Sequence, residues 1–198
     1  MAREPRGELP NGTFHIFSQC HDKQNLLLPE WVQDFFMESI QQSKEKYPFD
    51  LYGAEIVGNH FHIFMKPVEG GPGVSRIMQY IKARTAEKYN KATGRRGAFW
   101  IGRFKYTVIE ESDDPVEYSI RLIWYIAFNP VRKGLSNDPR NNYIGFINCY
   151  LKEDYELPSK IKITLHPNFI NLGETFSERV DRFLWYEEAY RKRMGLYF

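Results

Sequence analysis

The sequence has few cysteines and no long apolar run. Its 198 residues include only Cys20 and Cys149, which are too few and too far apart for a disulfide framework or a zinc site of paired cysteines. The longest uncharged apolar run, residues 122–128, is far too short to span a bilayer. Residues 1–12 lack the apolar segment of a signal peptide. We therefore expect a cytoplasmic protein with no membrane partner.

Phosphate-binding loops of the glycine-rich P-loop type are also missing, so we expect no nucleotide cofactor. What the chain does have is 42% hydrophobic and 16% aromatic residues, enough to build a packed core. Its length is that of one domain, with room for an appendage. The composition therefore indicates a folded globular protein.

Charge is unevenly distributed, although the net charge is only +2. The basic segment, residues 71–106, has nine Lys or Arg against a single acid, Glu87, a local excess of +8. Aromatic residues are interspersed with these cations, as on a surface that contacts phosphates and stacks on bases. The alternative is a solvated helix face beside core aromatics.

Strand and helix patterns alternate along the chain. They predict strands at 13–20, 51–57 and 60–66, and a hairpin in which 99–100 pairs with 104–109. Helices are predicted to begin after Pro29 and after residue 73. A third helix is predicted from Asp114 to a stop or bend at Asn129, and a fourth over 177–194. This order favours an α+β fold, a ferredoxin-like layer sandwich in which helices pack on one face of an antiparallel sheet, followed by a C-terminal helical extension.

The most specific local feature is His60-Phe61-His62, directly after the Gly58-Asn59 turn. Side chains alternate along a strand, so both imidazoles point to one face while Phe61 points to the core. Two nitrogens on one face can bind a divalent metal, although structural histidines held by hydrogen bonds are the commoner outcome.

A second feature lies on the helix that begins at Asp114. Tyr118, Leu122, Tyr125 and Asn129 recur at helical spacing on one stripe, which places Tyr125 and Asn129 one turn apart. An amide oxygen can complete a magnesium or manganese site, and a nearby tyrosine can act as a nucleophile. The alternatives are a core aromatic at Tyr125 and a helix C-cap at Asn129.

Four ordered motifs carry a resemblance to a known family: VGNHFHIFMKP, SRIMQYIKARTAEKYN, FWIGRFKYTVIEE and WYIAFNPVRKGL. In that order and spacing, over residues 13–150, the chain resembles the REP-associated tyrosine transposases, which belong with the one-tyrosine HUH single-strand endonucleases. The resemblance implies a tail at 1–12, a catalytic domain at 13–150 and an extension of unknown role at 151–198.

By the same resemblance, His60, His62 and Asn129 are the expected metal ligands for Mg²⁺ or Mn²⁺, and Tyr125 is the expected nucleophile. The implied activity is nicking and rejoining of single-stranded or hairpin DNA through a 5′-phosphotyrosine intermediate, by a monomer or a homodimer. The expected DNA contacts are basic residues: Arg76, Lys82, Arg84, Arg95, Arg96, Arg103 and Lys105.

Some assignments stay open at this level. Arg121 is placed either to steady a phosphotyrosine or to pair with Glu117, and His15 is interpreted as a structural histidine. Two other functions fit the same residues: a catalytically idle module that binds hairpin nucleic acid, and a metal-dependent phosphoesterase whose nucleophile is water.

Overall fold

An antiparallel sheet forms the centre of the molecule. The computed structural model describes residue 9 and residues 11–196, so most of the predicted N-terminal tail, residues 1–12, lies outside the described residues. The strands are β1 (Phe14–Gln19), β2 (Phe49–Ile56), β3 (His60–Pro67) and β4 (Lys105–Val108), in the order β2-β3-β1-β4. All three pairings are antiparallel. The predicted α+β class is confirmed.

Helices follow the strands along the chain. They are α1 (Glu30–Lys46), α2 (Val74–Thr93), α3 (Pro115–Ala127), α4 (Asn129–Arg132), α5 (Asn148–Leu151), α6 (Pro167–Ile170) and α7 (Phe176–Met194). The long helices lie within a few residues of the predicted ones. In the part of the chain that the structure describes, none of them has the length and apolar character needed to cross a membrane.

The strand register divides the sheet into two faces. His62 lies opposite Phe17 of β1 and opposite Glu55 of β2, so these side chains share one face, as do His15 and His60. We call this the histidine face. The alternate residues of the same strands point to the opposite face, which is the main hydrophobic core.

Helices α1 and α2 cover the core face. The ring of Phe36 on α1 packs against Phe61, with 4.7 Å between centroids. Lys82 on α2 reaches the same face, where its ammonium donates hydrogen bonds to Ser18 Oγ at 2.8 Å and to the Gly102 carbonyl at 2.7 Å. The helices that were predicted to pack on one face of the sheet correspond to α1 and α2.

The histidine face is also covered in part, by α3 and the segment that follows it. The ring of His166 stacks on Phe64 at 5.0 Å, and Tyr150 Oη donates to the Tyr52 carbonyl at 2.9 Å. Helix α7 packs on α3, where Trp124 Nε1 donates to the Phe183 carbonyl at 3.0 Å. Residues 151–196 therefore share a core with the sheet.

Two signals define α3. Asp114 Oδ1 accepts a hydrogen bond from the Glu117 amide at 3.0 Å, and Pro115 follows at the first helical position. Glu117 pairs with Arg121, and Asp114 supplies the side-chain cap of the helix. The helix ends at Ala127 and α4 begins at Asn129, which confirms the stop or bend predicted there.

The predicted hairpin of 99–100 with 104–109 is wrong. Both segments pair with the same edge of β1: Trp100 bridges Cys20, and Lys105 lies opposite Phe17. Between them the chain turns outward at Gly102, whose φ is +97°. The edge of β1 thus supplies the hydrogen bonds that a hairpin would have supplied, and the segment is one interrupted strand.

Candidate active site

A cavity of about 380 Å³ opens on the histidine face, between the sheet and the junction of α3 with α4. Its lining residues are His15, Phe17, His60, His62, Tyr125, Asn129, Arg132 and Lys133. The two imidazoles come from β3, whereas Tyr125 and Asn129 come from α3 and α4. The four residues singled out as ligands and nucleophile therefore line one cavity.

A hydrogen bond orients the His60 ring. Its Nδ1 lies 2.7 Å from the side-chain oxygen Oδ1 of Asn59. The side-chain nitrogen Nδ2 of Asn59 donates to the Lys23 carbonyl at 3.0 Å, which fixes Oδ1 toward His60. Because an amide oxygen only accepts, His60 Nδ1 carries the proton. The lone pair of His60 is then on Nε2.

The His62 ring is held in the same way by a third histidine. His62 Nδ1 lies 3.0 Å from His15 Nε2. The other nitrogen, His62 Nε2, is buried and has no hydrogen-bond partner among the described residues. An unsatisfied buried nitrogen is costly, and metal ligation is one way to satisfy it. The rings of His60 and His62 are 5.2 Å apart and nearly perpendicular.

All three histidines are neutral at pH 7. Burial lowers the pKa of His15 to about 4. Burial, with a smaller contribution from the Lys133 ammonium, lowers the pKa of His60 to about 4. The pKa of His62 is held well below its ordinary value by burial first, and then by His15 and His60. Neutral imidazoles keep a lone pair for ligation.

Tyr125 and Asn129 face these rings from the helix side. Asn129 Nδ2 donates to the Tyr125 carbonyl at 2.7 Å, so the amide oxygen is its remaining polar atom. The Tyr125 ring lies 5.6 Å from His62 and 5.9 Å from His15, edge-on to both. This arrangement holds an oxygen donor and a phenol beside the paired imidazoles.

Arg132 and Lys133 were not singled out from the sequence, yet both line the cavity. The Arg132 guanidinium lies 5.6 Å from the centroid of the Tyr125 ring. Both residues belong to the motif WYIAFNPVRKGL, three and four positions after Asn129. The helical spacing that pairs Tyr125 with Asn129 therefore also indicates these cations.

Glu55 is a buried acid behind the site. It lies opposite His62 in the register, and burial raises the pKa of its carboxyl to about 8. Asn142 Nδ2 donates both to Glu55 Oε2 at 3.2 Å and to the Ala127 carbonyl at 2.9 Å. These contacts connect the central sheet to the end of α3. Glu55 is the one charged residue of the predicted strand 51–57, which is the sequence signal for it.

The basic residues expected to contact DNA are spread over two sides of the sheet. Lys105 is exposed and shares the histidine face with Phe17, and Arg103 is exposed just before β4. Arg76 and Arg84 are exposed on α2, in the layer across the sheet from the cavity. Lys82, also on α2, is 8% exposed and bonded internally.

Arg95 and Arg96 lie in the loop after α2, where Arg95 is half-buried and Arg96 exposed.

Among the described residues, no three His, Cys, Asp or Glu side chains cluster so as to hold a metal. The candidate ligand set here is different, since it consists of two imidazoles and one amide.

Comparison with known proteins identifies the family of the chain. The family model described as "Transposase IS200 like" matches residues 9–119, more than half of the chain. The chain belongs to the IS200-like transposase family. Its family is thus one of enzymes, and the resemblance to REP-associated tyrosine transposases is confirmed at this level. The matched range ends before Tyr125 and Asn129.

Two individual proteins resemble this IS200-like transposase. A putative REP-associated tyrosine transposase of Haemophilus influenzae (strain ATCC 51907 / DSM 11121 / KW20 / Rd) is 22% identical over 139 residues, 65% of this chain and 76% of that protein. A solved REP-associated tyrosine transposase bound to a REP hairpin is 20% identical, with a TM-score of 0.62 over 84% of this chain and 94% of that one. The second likeness supports the fold.

Proposed function

We propose that this IS200-like transposase nicks and rejoins single-stranded DNA at hairpin sites, with Tyr125 as the nucleophile and a divalent metal as cofactor. The observation that carries the proposal is the buried, unpartnered Nε2 of His62 in the same cavity as the Tyr125 phenol. A phenol beside a ligand set is the arrangement that covalent phosphoryl transfer requires.

The residues of the cavity fit a metal. His60 and His62 offer neutral imidazole nitrogens, which ligate divalent metals, and Asn129 offers an amide oxygen, the kind of donor that Mg²⁺ and Mn²⁺ prefer. When bound, such a cation acts as a Lewis acid on a phosphate oxygen. Asn59 holds His60 in the tautomer that ligation needs, and His15 orients the His62 ring.

In the proposed reaction the Tyr125 hydroxyl attacks the scissile phosphorus. The new bond joins the phenol oxygen to the 5′-phosphate, and the bond to the 3′-oxygen breaks, which releases a 3′-hydroxyl. The reverse attack by a 3′-hydroxyl rejoins DNA without ATP. The Arg132 guanidinium, 5.6 Å from the centroid of the Tyr125 ring, supplies positive charge beside the attacked phosphate.

Hairpin DNA is the proposed substrate because a relative with the same fold is bound to a REP hairpin. Phosphate contacts on the histidine face would come from Lys105, Arg132 and Lys133, with Arg103 beside them. We leave Lys82 out of this surface because its ammonium is bonded to Ser18 and Gly102 in the interior.

A denaturing gel tests the proposal. Labelled hairpin DNA with single-stranded flanks is incubated with the protein and magnesium or manganese, and we expect a nicked product together with DNA that stays attached to the protein. Nicking without an adduct would assign the attack to water. Binding without nicking would leave a nucleic-acid-binding module. Either of these results would overturn the proposal.

A further inference from the structure

A second cavity, of about 730 Å³, lies between α3 and α7 and opens toward the candidate active site. The two cavities share three lining residues, namely His15, Tyr125 and Arg132. The volume is within the range of about 300–1,000 Å³ that small-ligand sites occupy. We call this cavity the α7 groove. A strand whose phosphate reaches Tyr125 has the groove directly beside it.

Aromatic side chains form the walls of the α7 groove. Tyr118 lies on α3, and Trp185, Tyr186 and Tyr190 lie on α7. Trp185 is 72% exposed, although tryptophan is usually largely buried. Its ring is 6.1 Å from that of Tyr186 and nearly perpendicular to it. The groove therefore offers a large, exposed π-face with a second ring at its edge.

Positive charge surrounds these rings. Arg121, Arg132 and Arg193 line the groove against one acid, Glu117, which is paired with Arg121. Aromatic walls with a cationic rim are the combination that binds single-stranded nucleic acid, because bases stack on the rings while phosphates contact the cations.

We propose that the α7 groove is a stacking subsite for an unpaired base that adjoins the scissile phosphate, with Trp185 as its main stacking surface. This inference rests on the proposed function, since it places the strand at Tyr125. It gives the C-terminal extension a role in holding substrate. Continuity with the active-site cavity and the positive rim favour a nucleotide over a second copy of the chain as the occupant.

The test is a double-mutant cycle on binding. The probe is a synthetic DNA hairpin copied from an imperfect palindrome beside the gene, with single-stranded flanks on both sides. An abasic residue is placed at each flanking position in turn. Affinity is measured in a Tyr125→Phe background, so that cleavage does not interfere and the ring is kept. Trp185 and Trp185→Ala proteins are compared.

We expect one or two neighbouring flank positions at which base removal weakens binding to the Trp185 protein by roughly 5- to 150-fold. At those positions, base removal should change the affinity of the Trp185→Ala protein for the hairpin very little. Trp185→Phe should restore much of the affinity because it keeps a stacking ring. Tyr143→Ala is the matched control, since Tyr143 is also exposed but its hydroxyl bonds Asp34 on α1.

Equal effects of base removal in both proteins at every position would overturn the subsite. If Trp185→Ala binds DNA normally but its mass in sedimentation changes, the groove binds a second copy of the chain. That result also overturns the proposed subsite. If base removal and Trp185→Ala show no coupling while the protein with Tyr125 still forms the covalent DNA adduct, only the subsite is refuted. If they show coupling but no adduct forms, only the proposed covalent reaction is refuted. A protein that binds no hairpin DNA would refute both.

Discussion

His166 provides a pH-dependent test of how the C-terminal extension is anchored. Its ring lies between Tyr52, at 4.6 Å, and Phe64, at 5.0 Å, and its Nδ1 accepts a hydrogen bond from the Asn168 amide at 3.1 Å. Burial lowers the pKa of His166 to about 4, with a smaller opposing contribution from Glu110. In the unfolded chain its pKa returns to about 6.5. The unfolded state therefore binds more protons between these values, and stability falls as pH falls from about 6.5 to 4.

The size of the effect follows from the two pKa values. Between pH 7 and pH 5 the unfolded state gains about three quarters of a proton at this site while the folded state gains very little, so His166 lowers the free energy of unfolding by about 2 kcal/mol. The variant His166→Asn keeps an acceptor for the Asn168 amide but has no titrating group. The stability difference between the two proteins should therefore shrink by about 2 kcal/mol at pH 5.

Urea unfolding of both proteins at pH 7 and pH 5 measures this difference. The other buried histidines and Glu55 are present in both proteins, so their contributions cancel. His21→Asn is the matched control because the His21 side chain is 43% exposed and pairs with the adjacent Asp22, and it should change stability by less than about 0.5 kcal/mol. An equal stability gap between the wild type and His166→Asn at the two pH values would refute the burial of His166 against the sheet.

Three further predictions concern the ligands, the charges and the packing. His62→Ala, like EDTA, should abolish cleavage with the circular dichroism spectrum unchanged, and magnesium or manganese should reverse EDTA; full activity in EDTA would remove the metal from the mechanism. The double variant of Arg103→Ala and Lys105→Ala should lower the slope of log K against log salt concentration by about 1.4 if both contact the strand, and an unchanged slope would place the strand elsewhere. Gly53→Ala should destabilise the fold by about 1–3 kcal/mol in urea unfolding, because its Cβ would lie 2.5 Å from Phe146 Cε2; wild-type stability would contradict this packing.

Much of the site was predictable because it depends on local periodicity. The alternation of a strand places His60 and His62 on one face, and helical spacing places Tyr125 and Asn129 on one stripe. The stop at Asn129 follows from the proline after it. Each of these inferences uses only residues that are near each other in the chain.

The contacts that depend on strand register were not predictable in this way. His15 meets His62, and Glu55 lies behind it, only because β1 and β2 pair with β3 in one register. The pairing of Trp100 with Cys20 likewise depends on which strand edge is free. The α7 groove joins residues more than sixty positions apart, so no local pattern indicates it.

The central claim is tested most directly by mapping the nucleotide that remains on the protein. Tyr125→Phe deletes only the hydroxyl and keeps the ring beside His15 and His62. This variant should bind hairpin DNA with near-normal affinity and yield neither nicked product nor adduct, while digestion of the wild-type complex should give one phosphotyrosyl peptide, at Tyr125, by mass spectrometry. Tyr118 is the rival, since it lies on the same stripe and lines the adjoining groove. Cleavage by Tyr125→Phe, or a nucleotide found on Tyr118, would contradict the assignment.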